Sequence, residues 1–212
     1  KNPDMGQVYQ RIADEGIEVF YSGDIADQID ADMRANGGLL TKQDLAACQP
    51  TKTQPLSGSY RGFDVATNPL PGGGLMIILM LNILEEFDLA ALGHNSAAYI
   101  AIVAEAMKYA TIDKDRYMGD PNFIDVPVEK LASKDYARAM AQKIKSGIKA
   151  HVERLNDGAP ESKDTTHLVV ADDAGNVVNV THSLGSSSGV ITDGLGFMYN
   201  NCMMVFDPRP GN

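Results

Sequence analysis

Long apolar runs, clustered positive charge and cysteine are what this 212-residue chain has little of, and each shortage removes a class of protein. No apolar stretch approaches the ~20 residues a helix needs to cross a bilayer, so no membrane span is expected. The opening KNPDMG has neither the basic nor the apolar region of a signal segment. Lys and Arg number 18 against 28 Asp and Glu, a formal charge of -10. Binding to nucleic acid or anionic lipid rests on clustered cations and is not expected. Two cysteines, Cys48 and Cys202, cannot build a disulfide framework, and four scattered histidines offer no metal-ligand spacing. No metal and no cofactor are expected. Repeats and low-complexity tracts are absent, and PLPGGG (Pro69 to Gly74) lacks both GxGxxG and GKS/T. That loop reads as close packing rather than a phosphate cradle.

What is there is a chain 44% hydrophobic and 22% charged, ordinary for a globular protein long enough to bury a core. Val8, Ile12, Ile17, Phe20, Ile25, Ile29 and Met33 recur at mainly three- to five-residue steps, predicting two or three short helices. Asn36-Gly37-Gly38 ends them, and Thr41 with Asp44 opens another that stops before Pro50. Thr53 to Thr67 predicts a hairpin turning near Ser57-Gly58. Leu75 to Leu84 is apolar all round and predicts a core helix. Further helices are expected over Ser96 to Thr111, Val128 to Leu131 and Lys134 to Ile148, with a mixed-charge structural turn at Asp113 to Asp120. Beyond the polar run Asn156 to Asp164, residues His167 to Ala171 and Val177 to Ser183 flank the turn Asp172 to Asn176 as a hairpin. Gly196 to Asn200 suggests a third strand. Helices first and strands last fit an α+β layered fold.

The junction at Thr165 carries the chemistry. An exposed-looking loop feeds directly into an apolar strand that opens TTH. A threonine hydroxyl is a poor nucleophile at neutral pH. If the bond before it is cut, its own α-amino group becomes a general base with a pKa of roughly 8, and nucleophile and base are one residue. Thr181 and Ser183, one residue apart on the paired strand, share a face that the hairpin brings toward Thr165. His167 is read as satisfying buried backbone rather than as a base. The run Gly185 to Gly189, GSSSG, reads as a flexible, hydroxyl-rich segment that either contacts an acyl group or turns the chain.

The TTH segment, with V-x-D-x-x-G-N after it and the blocks LLTKQDLAA, NPLPGGGLMIILMLNILEEFDL, DRYMGDPNFIDVPVEKLASKDYA and FDPRPGN, closely resembles γ-glutamyltransferases, which are N-terminal nucleophile hydrolases. The resemblance covers nearly the whole chain. It implies a four-layer αββα sandwich and a precursor that cleaves itself between Asp164 and Thr165. Residues 1–164 would then be the C-terminal part of a large subunit and residues 165–212 the start of a small one. The remainder of the precursor would be the chain's partner and an amide its small-molecule substrate. An early arginine that grips the substrate carboxylate, and a later serine pair and glycine pair, are expected to lie outside these 212 residues. Family members are often periplasmic or secreted.

By the same resemblance Thr165 is the nucleophile and Ser183, in place of a threonine, bonds its hydroxyl. Thr181, read from the strand face, and Ser186, from the GSSSG run, are expected to line the substrate together with Gly185, Asn201 and Cys202, whose positions match the family's donor pocket. Two departures stand out. Gly185 replaces an asparagine that helps hold the substrate's carboxylate end. NNCMMV replaces NNQ-x-x-D, so Cys202 and Val205 stand where a glutamine and an aspartate grip the donor's α-amino group. A donor without that amine, a glutaryl- or oxamate-type half-amide, is favoured over glutathione. The competing reading is an unprocessed relative serving as a binding scaffold.

Overall fold

The computed structural model describes residues 1–153 and 165–205. It begins with four helices, α1 (Pro3–Glu15), α2 (Glu18–Tyr21), α3 (Asp24–Asn36) and α4 (Lys42–Ala47). Asn2 caps α1 by accepting the Met5 N–H, with Pro3 preset in the first turn. Thr41 and Asp44 cap α4 reciprocally, each side chain accepting the other's backbone N–H, as the spacing predicts.

Strands β1 (Leu56–Tyr60) and β2 (Phe63–Thr67) pair antiparallel, with Tyr60 opposite Phe63. The turn is at Arg61-Gly62, whose φ angles of 50° and 84° suit a two-residue hairpin, and not at Ser57-Gly58. Gly58 lies within the strand because a Cβ there would press on Ile78 at 3.2 Å. That residue belongs to α5 (Gly74–Glu85), which buries Leu75, Ile78, Leu79 and Ile83 while Ile77 stays 45% exposed. The PLPGGG loop leads into α5 by close approach, since a Cβ at Gly72 or Gly74 would collide with Asn68. Helix α6 (Ala97–Tyr117) continues six residues past the expected end at Thr111. Asp113 does not break it, because its buried carboxylate accepts a hydrogen bond from the Tyr136 hydroxyl at 2.9 Å. Helices α7 (Val128–Ala132) and α8 (Lys134–Lys145) follow.

Four strands come next, β3 (Thr165–Ala171), β4 (Val177–Ser183), β5 (Ser187–Ile191) and β6 (Met198–Asn200), and a short 3-10 helix at Cys202–Val205 follows them. They form two antiparallel pairs, β3 with β4 and β5 with β6. Strand β5 was not expected. It occupies part of the GSSSG segment, and the anticipated third strand, β6, pairs with it rather than with the β3–β4 hairpin. The fold is α+β.

The chain divides into two compact units. Residues 52–153 make one, its core formed by Leu79, Ile83, Ala106, Tyr109, Ala110, Ala137, Met140 and Ala141. Residues 1–51 join residues 165–205 in the other. Its core is Val8, Val19, Ile25, Ala26, Ile29 and Leu45 from the helices together with Leu195 from the β5–β6 connection. Ile17, part of the apolar pattern, is exposed instead. Gln28 donates to the Asp193 carbonyl and Thr192 donates to the Asp32 carboxylate, so the connection is anchored by polar contacts as well. Among the described residues no helix is long and apolar enough to cross a membrane.

Candidate active site

The β3–β4 hairpin owes its register to its turn. Asp172 accepts the backbone N–H groups of Ala174 and Asn176 and the Asn176 side-chain amide, contacts that hold its carboxyl below the usual carboxylate range. That turn aligns Ala171 with Val177 and, six residues on, Thr165 with Ser183. Residues opposite each other on an antiparallel pair share a face. One face therefore carries Thr165 with Ser183, His167 with Thr181 and Val169 with Asn179, and the other carries Thr166 with His182, Leu168 with Val180 and Val170 with Val178.

The polar face is bonded across the strands. Thr165 Oγ1 lies 3.0 Å from Ser183 Oγ, and His167 Nδ1 lies 2.9 Å from Thr181 Oγ1. His167 thus meets a side-chain hydroxyl, where the sequence reading expects buried backbone. Ser183 Oγ also accepts the Gly185 N–H at 3.1 Å. Asp164, the other half of the expected cleavage bond, lies outside the described residues, as does the FDPRPGN block.

The remaining predicted residues gather where the chain returns. The Asn201 N–H donates to the Leu184 carbonyl at 2.8 Å, and the Asn201 side chain donates to Ser186 Oγ at 3.1 Å. Gly185 has a left-handed φ of 70°, and a Cβ there would stand 3.3 Å from the backbone of Asn201 and Cys202. Cys202 is half-buried and its thiol is free. Ser183, Gly185, Ser186, Asn201 and Cys202 therefore form one cluster, tied to Thr165 through Ser183.

A hydrogen-bond chain that sequence reasoning missed runs from the Tyr199 hydroxyl to Thr192 Oγ1 at 2.6 Å and on to the Asp32 carboxylate at 2.6 Å. Asp32 and Tyr199 also line a cavity of about 570 Å³ with Gly37, Ser188 and Val190, which none of the predicted site residues lines. The partners Asp32 and Thr192 are 160 positions apart, so local pattern offers no signal for them. Among the described residues no three of His, Cys, Asp and Glu gather as a metal site.

A family model described as gamma-glutamyltranspeptidase matches residues 1–212. The chain belongs to the γ-glutamyltranspeptidase family. Within it, the chain is similar to the glutathione hydrolase proenzyme of Escherichia coli K12, 41% identical over 213 residues that cover 98% of this chain and 37% of that protein. It is also similar to the acylase ACY 1 proenzyme of Pseudomonas sp. V22, 41% identical over 204 residues, 94% of this chain and 36% of that one. The chain thus spans little more than a third of the family members it matches. Among solved structures, the cephalosporin acylase of Bacillus halodurans superposes with a TM-score of 0.81 at 31% identity, covering all of this chain and 38% of the other. The family is one of N-terminal nucleophile hydrolases, and its members include both glutathione hydrolases and acylases.

Proposed function

We propose that this chain is the central part of a γ-glutamyltransferase-like amidohydrolase and acyltransferase, made as a precursor and activated by cleavage between Asp164 and Thr165. The observation that carries the reading is the 3.0 Å contact between Thr165 Oγ1 and Ser183 Oγ at the first register position of β3. Because the Gly185 N–H donates to Ser183 Oγ, the Ser183 hydroxyl is polarised to donate onward to Thr165. In the precursor the Thr165 hydroxyl adds to the Asp164 carbonyl, an N-to-O acyl shift gives an ester, and water frees the new amino terminus. The α-amine then takes the hydroxyl proton as Thr165 attacks an amide carbonyl. The α-ammonium gives that proton to the departing nitrogen, the amine leaves, and water or a second amine removes the acyl group.

The donor we propose is a dicarboxylic half-amide, γ-glutamyl or related, with those lacking an α-amine preferred. Cys202 offers no counter-charge to an ammonium. An asparagine at position 185 would be both strained by the left-handed φ and pressed against Asn201. Similarity to an acylase at the same 41% identity as to a glutathione hydrolase is consistent with a donor other than glutathione. The apolar face of the β3–β4 hairpin, with Leu168, Val170, Val178 and Val180 46–60% exposed, would be covered by the rest of the precursor in a four-layer αββα sandwich.

The test is intact mass and amino-terminal sequencing of the complete precursor after incubation. A new Thr-Thr-His terminus, lost in Thr165→Ala, is the expected result, followed by faster turnover of glutaryl than of γ-glutamyl amides. A precursor that stays whole would mark the chain as the inert scaffold.

A further inference from the structure

Acyl transfer to an amine raises a proton problem that hydrolysis does not. An amine acceptor arrives as an ammonium and must shed one proton before its lone pair can attack the acyl-threonine. As the C–N bond forms and the C–Oγ bond breaks, a second N–H proton has to reach Thr165 Oγ. The α-amine of Thr165 can carry that second proton and is then engaged. The first needs another base.

We propose that His167 is that base, a catalytic residue specific to the transfer branch. It rests on the reading of Thr165 as nucleophile. His167 stands on the nucleophile's face of β3, two residues along the strand, a separation of about 7 Å that leaves room for an acyl carbonyl and an incoming amine. Thr181 directly opposite holds Nδ1 at 2.9 Å and so fixes the ring. With Nδ1–H donating to Thr181 Oγ1, the lone pair resides on Nε2, for which no partner exists among the described residues. Nε2 accepts the acceptor's ammonium proton and passes it to water. The freed amine attacks the ester carbonyl, and the α-amine of Thr165 returns the second proton to Oγ. Hydrolysis, in which water is the attacking group, has no ammonium proton to remove.

Two acceptors separate this role from a structural one. An amino-acid amide is largely an ammonium at neutral pH, whereas hydroxylamine is largely unprotonated. In the full precursor, H167N keeps a hydrogen-bonding nitrogen near the position of Nδ1 and has no group that takes a proton. The ratio of transfer to hydrolysis with the amino-acid amide is expected to fall by about a hundredfold, while the ratio with hydroxylamine stays close to that of the parent. Should H167N fail to process, T181V, which keeps the imidazole and releases its ring, is expected to show the same acceptor-dependent fall at severalfold size. Equal falls with both acceptors, or no change with either, would overturn the assignment. A parent chain that forms no acyl-enzyme would instead overturn the reading of Thr165, and this one with it.

Discussion

Two hydroxyls 3.0 Å apart at Thr165 and Ser183 make single-atom changes informative. Ser183→Ala is expected to slow acyl-threonine formation by about tenfold to a hundredfold, the equivalent of the roughly 1.5 to 3 kcal/mol carried by a hydrogen bond to a charged oxygen. Ser183→Thr, which keeps the donor, should stay within a few-fold, and pre-steady-state release of a chromogenic amine measures both. A second residue makes a prediction about pH. Burial raises the Asp113 carboxyl above its ordinary value, against the opposing pull of the Tyr136 hydrogen bond and of Arg116, Lys130 and Lys143. A raised folded-state value means that the fold prefers the protonated acid. The associated stability is complete below about pH 3.8, the unfolded value, and is lost as pH rises through the elevated one. Asp113→Asn cannot ionise and still accepts from Tyr136. Its stability relative to the parent should therefore increase as pH is raised from 4 toward neutrality, read by urea denaturation at several pH values.

Helices and hairpins show why some of the architecture could be read in advance and some could not. The Thr41–Asp44 cap and the β3–β4 hairpin were legible because their signals are local: a capping pair three residues apart, and two apolar strands around an Asp-rich turn. Thr41→Ala should cost about 1 kcal/mol in a denaturation experiment. The first hairpin was misplaced because Gly58 looks like a turn residue and is in fact a packing residue beneath Ile78, while the turn falls on Arg61-Gly62. Strand β5 escaped notice since its serines and glycine mimic a loop. Only its pairing with β6 through Ser187 and Ile191 makes it a strand, and that is tertiary context. At the candidate site, the Thr165, Thr181 and Ser183 face followed from a period of two. The Thr181 bond to His167 and the closure of Gly185 against Asn201 could not, for they depend on side-chain geometry and on a chain return sixteen residues later.

Across the molecule, the proposed cut at Thr165 would divide a single compact unit, because residues on both of its sides share one core. Leu195, 3% exposed, sits among Val8, Ile25 and Ile29, and the Asn2 side chain donates to the Gly196 carbonyl. The two products of cleavage are therefore expected to stay together in native size-exclusion chromatography and to separate only in denaturant. Leu195→Ala, removing a buried side chain at a cost of about 2 to 5 kcal/mol, should lower the denaturant concentration at which they part.

The same discontinuous unit bears on the order in which the chain can acquire structure as it is made. Helices α1 to α4 are made before the rest of their own unit, and Leu195, which completes their core, is translated some 150 residues after Leu45. At roughly 5 to 20 residues per second that is a wait of about 8 to 30 s. Residues 52–153 are continuous and need nothing from later sequence to bury Leu79, Ile83 and Tyr109. The unit of residues 52–153 can thus mature first, and α1 to α4 are the helices left for a chaperone to hold.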